Sequence, residues 1–117
     1  MSNDELKSKI IFLYENHISM EKPEGKNFII SNIGFTTING IKTEGFQYSN
    51  VYKYVPFETL YKCYAQLNNS GFLSRIWFQN TFPFENKSRP CNYITIGSIF
   101  VKLNLASYEA NGEYKKK

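Results

Sequence analysis

The chain has 117 residues, a formal net charge of +4 and 42% hydrophobic residues. This length suits one domain, and the apolar fraction is ordinary for a globular protein with a single core. Its apolar runs are far shorter than the roughly 20 residues that cross a bilayer, and no basic leader precedes an apolar run. We therefore expect one domain over residues 1–117, in the cytoplasm, with no membrane partner.

Positive charge gathers in the second half of the chain. Residues 1–58 hold six Lys against seven Asp or Glu, a net −1, and residues 59–117 hold eight Lys or Arg against three Glu, a net +5. This asymmetry predicts a basic face that suits a polyanion. Ten Phe, nine Tyr and one Trp are many for one small core. We therefore also expect exposed rings, which suit protein contacts or base stacking.

The N-terminal segment is typical of an amphipathic helix. Ser2 and Glu5 have the spacing of a capping box, and apolar side chains then recur at helical spacing over about residues 3–18. The sole histidine, His17, falls on this apolar stripe. We expect it to pack partly against the core.

A small antiparallel sheet is predicted for residues 27–50. The dipeptide Asn39-Gly40 lies between two β-prone runs. This is the strongest short signal for a hairpin, because both turn residues must accept positive φ. Two or three strands are expected.

The second half predicts helices with clear ends. Pro56 suits the start of a helix that Gly71 ends in a left-handed cap, and Ser74 caps a shorter helix. Residues 83–90 predict a polar loop.

A third helix is predicted from about Pro90 or Cys91, closing at Asn104 and Ala106. Asn111-Gly112 then predicts a short terminal hairpin.

This order of elements over residues 57–117 resembles the winged-helix form of the helix-turn-helix domain. The resemblance lies in the Leu67–Gly71 turn, the Phe72-Leu73 bridge, the Ser74 cap and the Asn111-Gly112 wing tip. It covers about half of the chain. It implies an α+β fold in which a helix and sheet over 1–55 pack with a three-helix, winged-helix-like half over 56–117. The loop before the third helix, of about eight residues, is longer than the usual turn of the DNA-reading motif.

The resemblance implies that the third helix enters the major groove of DNA with its N-terminal residues leading. Arg89 suits a guanine edge and Asn92 an adenine edge, while the lysine tail contacts phosphates. The expected nucleic-acid-binding residues are Lys87, Ser88, Arg89, Asn92, Tyr93, Thr95, Lys115, Lys116 and Lys117. On the plainer interpretation, residues 87–89 are only a polar loop and Asn92 only caps its helix.

A protein-interaction module is the second hypothesis. It would be a small inhibitor or accessory protein of a mobile element, or a homodimer, with exposed aromatic side chains as anchors. The candidate anchors are Tyr48, Tyr52, Tyr54, Phe82 and Phe84.

Catalytic and metal-binding patterns do not occur in the sequence. It has one Asp and one His, scattered Glu, and no P-loop, dinucleotide glycine pattern or catalytic triad. Cys63, Cys91 and one His cannot complete a usual zinc site without a carboxylate, and a reducing compartment disfavours a disulfide. We therefore predict no enzymatic activity, no cofactor and no metal. Cys91, at a helix start, is the best candidate for a reactive thiol, although burial is the more common state of cysteine.

Overall fold

The structure, a computed structural model, describes the backbone of the chain and the side chains of residues 1–49 and 53–117. It combines helices with antiparallel strands, which makes the chain an α+β protein as predicted. The helices are α1 (Asn3–Glu15), α2 (Phe57–Ser70), α3 (Arg75–Thr81), α4 (Pro83–Ser88) and α5 (Cys91–Lys102). The strands are β1 (Met20–Glu21), β2 (Asn27–Phe28), β3 (Ile30–Ile38), β4 (Ile41–Tyr48), β5 (Asn50–Pro56), β6 (Phe72–Leu73), β7 (Ala106–Tyr108) and β8 (Tyr114–Lys116).

The start of α1 confirms the capping box. The Ser2 hydroxyl accepts from the Glu5 N–H, and the Glu5 carboxylate accepts from the Ser2 N–H, both at 3.1 Å. The helix ends at Glu15, before residue 18, because His17 adopts a φ of 51° and leaves the helix. His17 is exposed, so the prediction that it packs against the core is wrong.

The Asn39-Gly40 hairpin is confirmed. Both residues have positive φ, 51° and 78°, as a tight turn that matches strand twist requires. The turn joins β3 to β4, and β5 pairs with the other side of β4, so the sheet order is β3-β4-β5. Gly45 is required where β4 meets β5, because a Cβ there would lie 2.2 Å from the Val55 carbonyl oxygen.

A second three-stranded sheet, in the order β6-β8-β7, closes the C-terminal half. The predicted helix end at Gly71 is confirmed by its φ of 85°, and the Ser74 hydroxyl caps α3 by accepting from the Trp77 N–H at 3.1 Å. The hairpin at Asn111-Gly112 is confirmed by the pairing of β7 with β8. These elements alone do not define a family, so the winged-helix resemblance stays a prediction.

Residues 83–90 were expected to form a loop, but they contain α4, so that prediction is wrong. Pro83 occupies the first turn, where its missing N–H costs nothing, and Glu85 places a carboxylate near the positive end of the helix. The Arg89 N–H closes the helix by donating to the Glu85 carbonyl at 2.7 Å.

Helix α5 forms the centre of the core. Its side chains from Thr95 to Phe100 are buried, and it packs against β1 and β5 as well as against β7. Gly97 lets the Tyr114 ring pack directly against the backbone of α5, since a Cβ at this position would lie 2.2 Å from the ring. In the described part of the chain no helix is both long enough and apolar enough to cross a membrane.

Because its tyrosines are buried, this core loses stability at alkaline pH. Burial raises the pKa of Tyr48 from 10.0 to about 12. An unfolded chain ionises this phenol near pH 10 and the folded chain does not, so its stabilising effect is complete below pH 10 and is lost as pH rises to about 12. At about 1.4 kcal/mol per pKa unit the loss is roughly 2–3 kcal/mol for Tyr48.

We therefore expect the free energy of unfolding, measured in urea between pH 9 and pH 12, to fall more steeply in the native chain than in Tyr48→Phe. Tyr14→Phe, on α1, controls for the loss of a phenol and should keep the native slope. Equal slopes in all three proteins would contradict the role of Tyr48.

Candidate functional site

Asn92 is the centre of a buried polar network, not a surface residue. Its side-chain amide donates to Glu85 Oε2 at 2.7 Å and to the Tyr54 carbonyl at 2.8 Å, and its Oδ1 accepts from the Tyr48 hydroxyl at 2.8 Å. Thr59 donates to the other carboxylate oxygen of Glu85 at 2.8 Å. The network joins α5, α4 and α2 to the β3-β4-β5 sheet, and the side chain of Asn92 is 0% exposed.

This burial corrects the expectation that the start of α5 presents a DNA-reading face. Asn92, Tyr93 and Thr95 were expected to point outward, but all three are buried. The Tyr93 hydroxyl donates inside the protein, to the Gly112 carbonyl at 2.7 Å. The physical reason is that β4, β5 and α4 cover Asn92, while Tyr93 packs against Phe78 of α3 and Tyr114 of β8. The outward placement that the resemblance implied for these residues is therefore wrong.

The lysines among the expected set do reach the surface, but from separate elements. Lys87 and Ser88 end α4, and the Ser88 hydroxyl donates to the Phe84 carbonyl at 2.9 Å. Lys115 and Lys116 lie at the exposed end of β8.

Lys117, the last residue of the expected set, is also exposed. Its ammonium donates to Asn104 Oδ1 at 2.6 Å.

Some of the candidate protein-binding aromatic residues are buried and others reach the surface. Tyr48 and Tyr54 are buried, so they are not surface anchors and that part of the prediction is wrong. The Tyr52 side chain lies outside the described residues. Phe82 and Phe84, however, line one groove, and Phe84 is 56% exposed.

This groove, called the tip groove here, lies between the tip of the β3–β4 hairpin and α4. It has a volume of about 380 Å³. Its apolar walls come from opposite sides, since Ile38 and Ile41 belong to the hairpin and Phe82 and Phe84 to the α3–α4 segment. Sequence reasoning missed the two isoleucines, because strand alternation does not show that a hairpin extends past the core. The full lining is Ile38, Asn39, Ile41, Thr43, Pro56, Thr81, Phe82, Pro83, Phe84, Glu85 and Arg89.

Arg89 supplies the charge of the tip groove. Its Nε is buried without a hydrogen-bond partner among the described side chains, and neither ion pair found in that part of the chain includes it. Each oxygen of the nearby Glu85 carboxylate already accepts one hydrogen bond, from Thr59 or from Asn92. A buried guanidinium nitrogen without an acceptor is costly, and a carboxylate is the acceptor whose geometry matches the guanidinium best.

A larger hollow, of about 750 Å³, lies between α1 and the end of α5. Phe12 and Leu13 contribute apolar surface, and Lys9 and Lys102 lie at its rim. Within the described side chains, the buried polar atoms that lack a partner belong to Arg89, Thr95 and Ser98, and none of these residues lines this hollow. It therefore gives less indication of a ligand than the tip groove does.

The two cysteines are in opposite environments. Cys63 is buried, and burial raises the pKa of its thiol. Cys91 is exposed, contrary to the burial that residue habit favours, and its sulfur lies 3.8 Å from the Lys53 ammonium. In the described part of the chain no three His, Cys, Asp or Glu side chains are grouped to hold a metal ion.

Comparisons with protein-family models, with curated proteins and with solved structures find no match to this chain.

The Asn92 network predicts that this residue acts on stability. Asn92→Ala leaves the Tyr48 hydroxyl and the Glu85 carboxylate without their partner in the interior, so we expect a loss of about 2–4 kcal/mol in the free energy of unfolding. Asn69→Ala, at an exposed position on α2, should change it by less than about 0.5 kcal/mol. Urea denaturation followed by circular dichroism measures both. Similar small losses for the two variants would show that the network does not hold the core together.

Proposed function

We propose that the chain is a protein-interaction module whose tip groove binds a segment of a partner protein. The segment would carry apolar side chains and one carboxylate. The observation that supports this proposal best is that Arg89, whose Nε is buried without a partner among the described side chains, lines a groove with apolar residues on both walls.

Exposed apolar side chains at the groove give the partner its contact area. Ile41 is 68% exposed and Phe84 is 56% exposed, one on each side of the groove. Large apolar side chains at this exposure contribute little to folding, but they release ordered water when a partner covers them. Aromatic residues of this kind are enriched at the centres of protein interfaces.

Charge selects the partner. A carboxylate that reaches Arg89 would form a charge-assisted hydrogen bond shielded from water, where such bonds are strong. A lysine or arginine brought to the same place would lose hydration and meet the like charge of Arg89, while each oxygen of the Glu85 carboxylate already accepts one hydrogen bond. The tip groove therefore favours acidic, apolar segments over basic ones.

Selection from a library of short random peptides on phage tests the proposal without a known partner. We expect the selected peptides to combine apolar residues with Asp or Glu, and to shift the amide resonances of Ile41, Phe84 and Arg89. Arg89→Gln should weaken their binding at least about tenfold, since truncating one side of a buried charge pair costs about 2 kcal/mol or more. The double variant Ile41→Ala, Phe84→Ala should do the same through lost apolar contact.

Phe12→Ala is the matched control, because Phe12 is a comparably exposed aromatic residue on α1, outside the groove. Its affinity for the peptides should stay within about twofold of the native value, since distant surface changes rarely affect an independent site. The proposal fails if no acidic, apolar consensus emerges, or if the groove variants bind as tightly as Phe12→Ala.

Nucleic-acid binding stays a second proposal, restricted to phosphate contacts. It is supported by Lys115 and Lys116 on β8, which are exposed and take no part in the ion pairs found among the described side chains. Since Asn92, Tyr93 and Thr95 are buried, such binding would not read bases and would depend only weakly on sequence.

On this second proposal, the logarithm of the affinity for a random-sequence DNA duplex falls linearly with the logarithm of salt concentration. The slope is about −0.9 per phosphate contacted, so the double variant Lys115→Gln, Lys116→Gln should lower its magnitude by about 1.8. Lys62→Gln, on α2, is the control for lost charge. Fluorescence anisotropy measures all three proteins, and a slope unchanged in the double variant would exclude β8 as the contact.

A further inference from the structure

We propose that two copies of the chain associate through the outer edge of β3, so that the two β3-β4-β5 sheets continue into one. This proposal goes beyond the tip groove, because it uses the backbone edge of β3, which shares only Ile38 with the groove lining. Binding at either one stays measurable when the other is lost.

The outer edge of β3 has no strand partner in the described part of the chain, although α1 also contacts β3. The strand lies at the end of its sheet, with β4 on one side, and in the described part of the chain no strand pairs with its other side. From Asn32↔Gln47 to Ile38↔Ile41 its pairing with β4 runs without a register shift. Seven regular residues extend over roughly 24 Å at about 3.4 Å each.

The hydroxyl of Tyr54 shows which backbone groups point outward. It lies 3.0 Å from the Gly34 carbonyl oxygen and 2.7 Å from the Thr43 carbonyl oxygen. Since Gly34 is opposite Gly45 and Thr43 is opposite Thr36, one hydroxyl reaches both oxygens only if they point into the space between β3 and β4.

Backbone direction alternates along an antiparallel strand, and the N–H and C=O of one residue point to the same side. Gly34 and Thr36 therefore bond to β4. Ile33, Phe35 and Thr37 direct their N–H and C=O groups to the open edge.

This edge lacks the charged residues and prolines that commonly keep edge strands from pairing. The sequence of Ile30–Ile38 contains no charged residue and no proline, and its one irregularity, between Ile30 and Asn32, is at the far end from the hairpin tip. Proteins ordinarily protect long edges with lysine, proline or a central bulge. An uncharged edge of this length favours another strand as its partner.

The occupant that fits best is a second copy of the same strand in antiparallel orientation. Phe35 is the middle residue of the regular run from Asn32 to Ile38, so a two-fold axis there pairs all seven residues and sets Phe35 beside its equivalent. Phe35 is 62% exposed, with the Lys42 ammonium 4.6 Å from its ring centre. Pairing about the axis would cover much of that ring.

Charge is compatible with the same arrangement. Residues 1–58, which contain β3, carry six Lys against seven Asp or Glu, a net −1. The net charge of +5 on residues 59–117 therefore lies in the half of the chain that does not form the interface. A single added strand buries less surface than a standard protein interface, so the dimer is expected to be weak and concentration-dependent.

Two measurements on the full chain test the proposal. Sedimentation equilibrium over a concentration series should show a monomer–dimer equilibrium, and Phe35→Lys should weaken it at least about tenfold, because it sets two like charges opposite each other. Phe12→Lys changes an equally exposed phenylalanine on α1 to the same residue and should leave the equilibrium unchanged.

Amide hydrogen exchange supplies a readout that does not depend on a variant. The amides of Ile33, Phe35 and Thr37 should exchange rapidly in dilute solution and become protected as concentration rises, while those of Gly34 and Thr36 stay protected throughout. A chain that is monomeric at millimolar concentration overturns the proposal. So does a dimer that survives Phe35→Lys, or one that forms without protecting these three amides.

Discussion

The hydrogen bonds of the Asn92 side chain are the constraint on which the rest of the structure depends. A carboxamide offers two donors and one acceptor group, and here all are used by three different elements, the carboxylate of Glu85 on α4, the Tyr54 carbonyl on β5 and the Tyr48 hydroxyl on β4. Polar groups in the interior are costly unless satisfied, so each hydrogen bond of the network that is left unmade lowers the stability of the fold. The network therefore fixes the N-terminal sheet and α4 against α5 at one relative position.

Burial of α5 moves the functional surfaces to the periphery. A helix that is covered by β5 on one side and packed on β7 on the other cannot enter a groove of DNA while the chain stays folded. The surfaces left are the hairpin, which extends past the core, and the short helix α4 beside it. Both of the protein contacts proposed above use the hairpin, one through its face at Ile41 and the other through its outer edge at Phe35. The geometry of the β-strands is compatible with both contacts, since successive side chains of a strand point to opposite faces of the sheet.

The parts of the fold that could be predicted from the sequence are those set by local chemistry. The capping box at Ser2, the positive φ at Asn39 and Gly40, and the left-handed end of α2 at Gly71 each depend on a few adjacent residues, and all were confirmed. The sequence did not reveal the burial of Asn92. Polar residues are usually exposed, and its partner Tyr48 lies 44 residues away.

Helix α4 was missed for a related reason. Its single large apolar side chain, Phe84, faces solvent, so no apolar periodicity marks the segment. The signals that could have indicated a helix were Pro83 at its start and Glu85 in its first turn. Of the candidate site, Phe82, Phe84 and Arg89 were named from the sequence, although Arg89 was assigned to DNA. Ile38 and Ile41 could be added only once the hairpin was seen beside α4.

Native-state hydrogen exchange along α5 tests the central claim most directly. If this helix is the closed centre of the fold, the amides from Ile96 to Phe100 exchange only when the whole chain unfolds. Their opening free energy then equals the global free energy of unfolding and falls with urea at the global slope. Exchange of these amides through a smaller opening, insensitive to urea, would show that α5 can be exposed while the rest of the chain stays folded, and would contradict this account.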